Sequence, residues 1–588
     1  MTSSVSKQDE EVRRSSFSEF QPLTKKPALE NGKTVANDSS TAGRKISKKL
    51  TKNKKGRVKR KYTQKNYDPT NPFGVLLLEV EELFTENGIS EEKRAVDINL
   101  LLNSEDLLAK YNRNLEEVKV SKLTSSGDGL ALIPHPEIED GFQAVVIPFA
   151  YPGETVDIRI FRTHPTHAEA DLLKVREGSE MRDNDLINCK YYGKCSGCQF
   201  QNVEYTKQLE LKRKTIENAY HFFAKTLKAA NALPKISDTV PSPLQYNYRT
   251  KLTPHFDLPR GKFNPEMIDM PALGFGAKGR PTWRESVQGG NKSVLDVEDC
   301  AIGTSVLNKA MSNEREIFKR IYKTKVRGGT ILLRENTRAM KNDLDEEQKK
   351  KFINEENGSK IPDTEDNVYD EAPSSKEGET LIKTCCTDSK QIVSENIEGR
   401  EFRFSANEFF QNNNSILPIV TKYVRDNLKF ENSESEDRYL VDAYCGSGLF
   451  SIMCSDGVKE VCGVEVSKDS VAYANENAKL NNIQNAKFIL GKAEQIFDDI
   501  KFPSALTSVI CDPPRKGCDE PFLTQLSKFH PSKIVYISCN VHSQARDLEF
   551  FINNTENGSQ YQIESIRGFD FFPQTHHIES IAILSLKK

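Results

Sequence analysis

The alternation of apolar strands and amphipathic helices from residue 395 to the C-terminus constrains the fold of this chain most strongly. In residues 438–450, RYLVDAYCGSGLF, a short apolar strand runs into a glycine turn and then into the start of a helix. Repeats of this kind are typical of a doubly wound, mostly parallel α/β sheet with helices on both faces. Such a sheet places its ligand sites at the carboxyl ends of its strands. Functional residues are therefore expected just after the predicted strands.

The glycine turn has the character of a nucleotide-binding loop. Gly446 and Gly448 let the backbone approach a ligand at points where a Cβ atom would collide. Glu465 lies about twenty residues further on, near the end of the next predicted strand, where a carboxylate can accept hydrogen bonds from a ribose diol. Because no third glycine follows, the loop does not fit the dinucleotide fingerprint. It resembles instead the loop of class I methyltransferases, which implies S-adenosylmethionine as the cofactor.

A third strand end carries the turn Asp512-Pro513-Pro514-Arg515. The two prolines fix the backbone and hold Asp512 at the edge of the sheet. The turn resembles the fourth motif of class I methyltransferases. In members that methylate exocyclic amines, this motif generally ends in an aromatic residue that stacks on the base. Arg515 occupies that place here, which argues against amine methylation and favours contact with a phosphate or a base.

A thiol and a carboxylate complete the predicted site. Cys539 follows the apolar strand in VYISCN, residues 535–540, which places its sulfur at the carboxyl edge of the sheet. Glu579 follows the aromatic segment 570–578, DFFPQTHHI. A thiol nucleophile and a general base, downstream of a nucleotide-type loop, predict covalent catalysis on an electrophilic ring. The alternative, a buried apolar cysteine and a surface glutamate, is disfavoured by the other motifs.

The 588 residues are expected to form about three globular units. Residues 73–113 show helical periodicity and are predicted to form a helical extension. Residues 115–176 contain five alternating segments between Gly and Pro turns, which predict a small OB-like barrel that binds single-stranded nucleic acid or serves as a structural module. Residues 177–335 are predicted to form a mixed α/β central domain with one clear helix at 204–228. Residues 336–380 are predicted to be an acidic low-complexity insert, a solvated loop.

Residues 1–70 are predicted to be a disordered basic tail. Within them, residues 44–65 contain twelve Lys and Arg and no acidic residue, so they cannot bury a core. Such a block is typical of a nuclear-localisation signal, an RNA-binding tail, or both, and the alternative is a solvated tail without a partner. We therefore expect a nuclear or cytoplasmic protein, or both. A mitochondrial location is disfavoured because the first residues include acids and do not resemble a presequence.

The sequence also argues against a membrane protein and against a secreted protein. No stretch approaches the roughly twenty apolar residues that span a bilayer, so we expect no membrane association. The first residues contain no apolar segment of a secretory signal. The twelve cysteines are therefore expected to be reduced thiols rather than a disulfide framework.

Four motifs in this order make the chain resemble the RNA uracil-C5 methyltransferases. They are the glycine loop, the Asp512 turn, Ser538-Cys539-Asn540 and the segment 572–579, FPQTHHIE. The likeness covers residues 115–588, interrupted by the acidic insert. It implies that the β-module is the family's TRAM domain, an OB-type RNA-binding unit, and that residues 395–588 form the S-adenosylmethionine-dependent methyltransferase domain. It also matches residues 407–413 to the family's Phe-x-Gln cofactor loop. The cofactor contacts that the resemblance implies are Gln411, Tyr444, Glu465 and Asp512.

The resemblance also implies the catalytic roles. Cys539 would add to C6 of uracil, and Glu579 would remove the C5 proton after methyl transfer to C5. We expect cationic neighbours such as Arg515 to lower the pKa of Cys539, and an apolar flank to raise the pKa of Glu579. The target base would have to be flipped out of its stack.

A set of four cysteines suggests a further site. The context of two of them, YGKCSGCQF in residues 192–200, resembles the motif with which family members hold a [4Fe–4S] cluster, and Cys300 fits the fourth ligand. Four thiolates suit an iron–sulfur cluster or structural zinc, and four metal-free thiols remain the alternative. The role would be structural or in RNA binding, because methyl transfer needs no electrons. The four predicted ligands are Cys189, Cys195, Cys198 and Cys300.

Within the family, the chain looks most like the branch that forms 5-methyluridine at position 54 of tRNA, which implies the tRNA T-arm as the partner. A ribosomal RNA uracil methyltransferase would use the same catalytic set, and the cluster motif is typical of that branch. A non-catalytic RNA-binding scaffold is disfavoured because the catalytic residues are intact. An RNA cytosine-C5 methyltransferase is also disfavoured, since that chemistry typically places a second cysteine at the position of Arg515.

Overall fold

The N-terminal part of the structure contains three helices that pack beside a barrel. The computed structural model describes residues 59–63, 66–258, 269–280, 293–355, 358–428, 437–491, 497 and 500–587. Each of the three helices begins at a side chain that accepts a backbone N–H, which stabilises the first turn. The capping residues are Asn71, Asp97 and Ser104. The helices are α1 (Pro72–Glu86), α2 (Ile98–Asn103) and α3 (Glu105–Tyr111).

A closed five-stranded barrel follows, as the alternation in this region predicts. Its strands are β1 (Asn114–Leu123), β2 (Gly129–Pro134), β3 (Phe142–Ile147), β4 (Thr155–Thr163) and β5 (His167–Glu177). Their order around the barrel is β1-β2-β3-β5-β4. Alternate residues such as Val120, Val145 and Ile158 fill the interior, while Leu83 and Phe84 of α1 pack against the outside.

The central region combines helices with two small sheets of four strands each, in the orders β10-β9-β8-β11 and β13-β14-β12-β7. Its elements are α4 (Tyr205–Phe223), α5 (Lys225–Ala229), β6 (Ser237–Val240), β7 (Lys251–Leu252), β8 (His255–Phe256), β9 (Gly274–Gly276), β10 (Val294–Asp296), α6 (Ser305–Ile321), β11 (Gly329–Thr330), β12 (Leu333–Lys341), α7 (Glu346–Asn354), β13 (Tyr369–Pro373) and β14 (Glu379–Cys386). Buried apolar residues of α6, among them Val306 and Phe318, pack against both sheets.

The segment 336–380 is not the solvated loop that we expected. It contributes β12, α7, β13 and the start of β14 to the central region. Part of its charge lies on the exposed face of α7, which begins with a capping box between Asp345 and Gln348. Met340 and Ile353 of the segment form a small core with Ile382, which follows it in β14. The charge of the segment thus reflects, in part, a solvated helix face. A small apolar core accompanies this face.

The C-terminal region forms an eight-stranded sheet with helices on both faces. Its elements are β15 (Ile392–Ile397), β16 (Arg400–Ser405), α8 (Leu417–Asn427), β17 (Tyr439–Ala443), α9 (Leu449–Met453), β18 (Glu460–Glu465), α10 (Lys468–Leu480), β19 (Ala486–Leu490), β20 (Thr507–Cys511), α11 (Glu520–Phe529), β21 (Lys533–Ser538), α12 (Val541–Asn554), β22 (Tyr561–Phe569) and β23 (Glu579–Leu586). The strand order is β19-β18-β17-β20-β21-β23-β22-β6, and β23 runs antiparallel to its neighbours. The predicted doubly wound α/β fold is confirmed.

The boundary that we predicted between central and C-terminal domains is wrong in one respect. Residues 205–240, assigned to the central domain, belong structurally to the C-terminal sheet. The edge strand β6 pairs in parallel with β22, and Ile216 and Tyr220 of α4 are buried in the same core as α12. The sequence of an amphipathic helix shows which face is apolar but not which sheet covers that face. The sequence alone therefore did not show that residues 205–240 pack on the C-terminal sheet.

Part of the predicted disordered tail, residues 59–63 and 66–70, is ordered. Residues 1–58 and 64–65 lie outside the described residues, but residues 59–63 and 66–70 contact the folded protein. Arg60 and Tyr62 donate backbone N–H groups to Asn103 and Asn99 of α2. Thr70 is 2% exposed. In the described part of the chain, no helix is long and apolar enough to cross a membrane.

Candidate active site

Cys539 and Glu579 face each other across two neighbouring antiparallel strands. In the ladder between β21 and β23, Ser538 pairs with Ser580. Extending this register by one residue places Cys539 opposite Glu579, and side chains opposed in this way have Cβ atoms about 5 Å apart. Gln544 of α12 fixes the pair of strands, because its side-chain amide donates to Ser580 O at 3.1 Å and to Tyr536 O at 2.9 Å.

Three of the predicted cofactor residues lie at the same carboxyl edge. Tyr444 and Asp512 each follow a strand of the adjacent pair β17 and β20, and Asp512 N donates to Ala443 O at 3.4 Å. Glu465 ends β18 and accepts hydrogen bonds from Gly446 N at 3.2 Å and Ser467 N at 2.9 Å. The acidic group that we predicted from spacing is thus tied directly to the glycine turn.

The glycine turn contains residues with positive φ, a conformation that glycine adopts readily. Gly446 and Gly448 have φ values of +54° and +90°, and Tyr444 has a φ of +66°. A Cβ atom at Gly446 would meet no atom within 4 Å, so the turn opens onto free space above the sheet edge. This geometry leaves room for a ligand to approach the backbone closely.

The fourth predicted cofactor residue, Gln411, lies in a loop that the central region holds in place. Its neighbour Asn412 accepts a hydrogen bond from Thr250 N at 3.0 Å through its carbonyl, and from Arg334 Nη1 at 3.1 Å through its side chain. Burial, followed by the charges of Asp469 and Glu465, raises the pKa of Glu408. The loop therefore approaches Glu465 at Glu408, three residues before Gln411.

Acidic groups cluster along this edge, and the charge of one raises the pKa of the next. Burial, and then the charge of Asp512, raises the pKa of Glu579 to about 8, against an opposing effect of Arg515. Burial and the charge of Asp442 raise the pKa of Asp512 to about 7. Like charges in a poorly solvated site disfavour ionisation of each other. The expected rise in the pKa of Glu579 is present, and it brings this group into the range suited to a general base near neutral pH.

The lowered pKa that we expected for Cys539 is absent. Burial raises the pKa of this thiol to about 12, and the charges of Glu579 and Asp512 add to the rise. Arg515 does lower the pKa of Cys539, but its exposed guanidinium is outweighed. Since both acids raise the pKa of Cys539, protonation of either acid lowers it. Formation of the thiolate is therefore coupled to the protonation states of Glu579 and Asp512.

A cavity of about 330 Å³ opens beside Cys539. The strand end and α12 form one wall, and the exposed side chains of Arg515 and Lys516 form another. His576 and His577 line it from the loop before Glu579, and Ser125 lines it from the barrel. Residues 68–75 also reach it from the N-terminus, which sequence reasoning missed because no local pattern reports a contact between such distant segments.

The loop before Glu579 is fastened to the central region. Gln574 O accepts hydrogen bonds from Gln199 N at 2.9 Å and Phe200 N at 3.0 Å. Lys212 of α4 forms a fully buried ion pair with Asp570 and donates to Phe572 O at 2.9 Å. Breaking one partner of a buried pair costs about 3–5 kcal/mol, so this loop is held firmly. Its rigidity fixes the position of Glu579.

The four cysteines predicted to bind metal lie in one region. Burial raises the pKa of Cys195 to about 11, and the charges of Cys300 and Cys189 add to the rise. Cys198 belongs to the same segment as Gln199 and Phe200, which bind the loop of Glu579. No three of the four sulfurs lie within 4.8 Å of one another in the described residues. All four are free thiols in the structure.

The sequence matches known proteins along most of its length. Residues 383–587 match the family model described as tRNA (Uracil-5-)-methyltransferase, and residues 109–173 match the TRAM domain. The chain is 50% identical over 578 residues to the tRNA (uracil(54)-C(5))-methyltransferase of Saccharomyces cerevisiae, across 96% of this chain and 88% of that protein. The chain belongs to the tRNA (uracil-5-)-methyltransferase family. The resemblance inferred from its motifs is confirmed.

Two further members of the family extend the comparison. The tRNA (uracil(54)-C(5))-methyltransferase of Schizosaccharomyces pombe is 43% identical over 497 residues, across 83% of this chain and 82% of that protein. The crystal structure of Pyrococcus abyssi tRNA (uracil-54, C5)-methyltransferase in complex with S-adenosyl-L-homocysteine aligns with a TM-score of 0.51 at 21% identity. That alignment covers 80% of this chain and 100% of the other, which shows a shared fold.

Proposed function

We propose that this protein methylates C5 of uridine 54 in tRNA, with S-adenosylmethionine as the methyl donor. The observation that carries the proposal is that Cys539 lines a cavity and lies near Glu579, whose charge raises the pKa of the thiol, as the register of β21 and β23 implies. The two relatives with 50% and 43% identity are both named tRNA (uracil(54)-C(5))-methyltransferases, which favours tRNA over ribosomal RNA. The TRAM-type barrel, whose Ser125 lines the cavity, supports a nucleic-acid substrate.

The carboxyl edge fits S-adenosylmethionine. Gly446 leaves open space above the turn, and Glu465 has its carboxylate fixed where a ribose diol can be bound. The acids whose charges raise the pKa of their neighbours along this edge would gain stabilisation from a cationic ligand, and the sulfonium and ammonium groups of this cofactor are cationic. Tyr444, Asp512 and Gln411 would complete the contacts. When bound there, S-adenosylmethionine supplies an electrophilic methyl group.

The residues of the chain can carry out the remaining chemistry. The sulfur of Cys539 would add to C6 of the uracil ring, which makes C5 nucleophilic. After C5 has gained a methyl group, Glu579 would remove the proton from C5, and the bond between sulfur and C6 would break to release the product. The exposed cations Arg515 and Lys516 line the cavity and are placed to meet the phosphates of the flipped nucleotide.

Mapping 5-methyluridine in cells that lack this protein tests the proposal. Position 54 of tRNA should lose its methyl group, and the wild-type gene should restore it. Loss of 5-methyluridine from ribosomal RNA, with position 54 of tRNA unchanged, would reject the tRNA assignment and favour a ribosomal RNA substrate.

We further propose that the four cysteines hold a [4Fe–4S] cluster with a structural role. Cys300 and Cys189 lie close enough to Cys195 to influence its thiol, and four thiolates are the donor set of an iron–sulfur cluster. The segment of Cys195 and Cys198 continues into Gln199, which binds the loop before Glu579. A cluster here would therefore stabilise the wall of the catalytic cavity.

Protein purified without oxygen should be brown and should contain iron and sulfide. Cys198→Ser should lose the iron and lower the melting temperature, because a ligand that binds only the folded state stabilises it. Cys539→Ala is the matched control and should keep the full iron content. Zinc without iron would favour the structural zinc alternative, and a metal-free protein with an unchanged melting temperature in Cys198→Ser would exclude both.

We also propose that the basic segment contributes RNA affinity and nuclear accumulation, and not the choice of target. Deleting residues 1–58 leaves the contacts of residues 59–70 intact. The truncated protein should bind tRNA more weakly, most of all at low salt, with a salt dependence that flattens by roughly 0.7–0.9 per lost phosphate contact. The methylated position should not change, because lysine and arginine on phosphates do not read bases. Fluorescence microscopy should show less nuclear protein.

A tail of the same composition in scrambled order is the control for the charge, and it should retain the RNA affinity. Methylation of new uridines by the truncated protein would show that the tail helps to select the target.

A further inference from the structure

A short N-terminal segment, residues 66–72, lies across the mouth of the catalytic cavity, and we name it the strap. Asn540, the residue after Cys539, donates from Nδ2 to Thr70 O at 3.1 Å. Arg546 of α12 approaches Thr70 Oγ1 at 3.5 Å and Asp68 at 3.7 Å. The strap residues that line the cavity together with Cys539 are Asp68, Thr70, Asn71 and Pro72. The strap is therefore part of the surface that a substrate must pass.

The strap is held in one conformation. Thr70 donates from its backbone N–H and its hydroxyl to Asp68 Oδ1, at 2.9 and 2.8 Å. Asn71 caps α1 by accepting from Gly74 N at 2.8 Å. A Cβ atom at Gly74 would lie 2.5 Å from Asp68 O, so only glycine lets the strap fold this closely against the helix. Tyr67 directly precedes Asp68, and Asp68 lines the cavity.

Tyr67 ends a row of four rings that begins in the barrel. Its ring centroid lies 4.4 Å from that of Phe73, which in turn lies 6.4 Å from His164 and 6.0 Å from His167. The imidazole of His164, in the turn after β4, stacks on that of His167, the first residue of β5, at 4.6 Å. Tyr67 is 41% exposed, whereas His167 is buried. The inner rings therefore support an outer ring that is open to solvent, one residue before Asp68 of the cavity lining.

We propose that Tyr67 stacks on the base of a nucleotide that flanks the target uridine when RNA enters the cavity. This inference rests on the proposed function and names a contact for it in the N-terminal extension, outside the segments that match the family and TRAM models. When one base occupies the cavity of Cys539, the next nucleotides of the strand leave along its rim, and Tyr67 is adjacent in the chain to Asp68, which lines that cavity. Every base presents a flat face, so such a contact strengthens binding without reading the sequence.

The test compares three variants by methylation kinetics on a transcribed tRNA. Tyr67→Ala should raise KM roughly tenfold, the effect of one base–aromatic stack, and change kcat by less than about twofold. Tyr67→Phe keeps the ring and should behave as the wild type. Tyr369→Ala is the matched control, because Tyr369 is also 41% exposed but belongs to the edge strand β13 of the central region.

Direct RNA binding distinguishes failure of this inference from failure of the proposed function. If the wild type does not methylate tRNA, the proposed function fails, and a roughly tenfold loss of RNA affinity in Tyr67→Ala alone still supports the stack. An unchanged KM and an unchanged RNA affinity in Tyr67→Ala would overturn the inference. A lower melting temperature and a lower kcat with unchanged KM would also overturn it, because these changes would mark the strap as purely structural.

Discussion

Replacing Cys539 with alanine should reduce methylation of tRNA by on the order of 10⁶-fold, as removal of a covalent nucleophile does in other enzymes. The reason is that C5 of uracil becomes nucleophilic only after sulfur has added to C6. RNA with 5-fluorouridine at the target position makes the same step visible. The wild type should form an adduct that survives denaturing electrophoresis, because C5 then carries fluorine and has no proton to remove. Cys539→Ala should form none.

A cysteine remote from the sheet edge provides the control. Cys454 is buried in the core at the end of α9 and lines no part of the catalytic cavity. Cys454→Ala should retain the adduct and lose at most the few-fold activity that follows from a small loss of stability. An adduct with 5-fluorouridine RNA in Cys539→Ala would mean that another residue attacks the base.

The placement of the cofactor residues at one edge was accessible from the sequence, and the opposition of Cys539 to Glu579 was not. Parallel strands end at the same edge of a sheet, so Tyr444, Glu465 and Asp512 were predicted together once their strands had been recognised. Glu579 lies on a strand that runs in the opposite direction, and its partner depends on the register of β23 against β21. The register is set by packing, which a local pattern does not encode.

The pKa of Cys539 shows a second limit of sequence reasoning. Arg515 is close enough to lower this pKa, as expected, but the outcome depends on burial and on the two acids that converge on the thiol. The strap shows a third limit. The polar segment 66–72 carries no pattern that relates it to Asn540, and only the structure reveals their contact. The expected loop at 336–380 was wrong because charged composition was taken as absence of a core.

Replacing Glu579 with glutamine should leave addition and methyl transfer in place but slow product release by roughly 10²–10⁴-fold, the usual contribution of a general base. A covalent complex between protein and natural tRNA should therefore accumulate and be visible after denaturing electrophoresis. Glutamine preserves the size and the hydrogen-bonding shape of the side chain but cannot take the C5 proton. Single-turnover measurements of adduct formation and decay separate the two steps.

The pH dependence of adduct decay identifies the group. Because the pKa of Glu579 is raised to about 8, decay in the wild type should increase with pH up to about 8 and level off above it, since only the ionised carboxylate accepts the proton. In Glu579→Gln the profile should be flat over this range. Glu314→Gln is the matched control, because Glu314 is also 5% exposed and burial raises its pKa to about 7, but it bonds Ser359 in the central region. If the adduct of Glu579→Gln decayed at the wild-type rate, Glu579 would have no role in the mechanism. If the adduct decayed slowly in both Glu579→Gln and Glu314→Gln, the effect would come from the loss of any buried carboxylate.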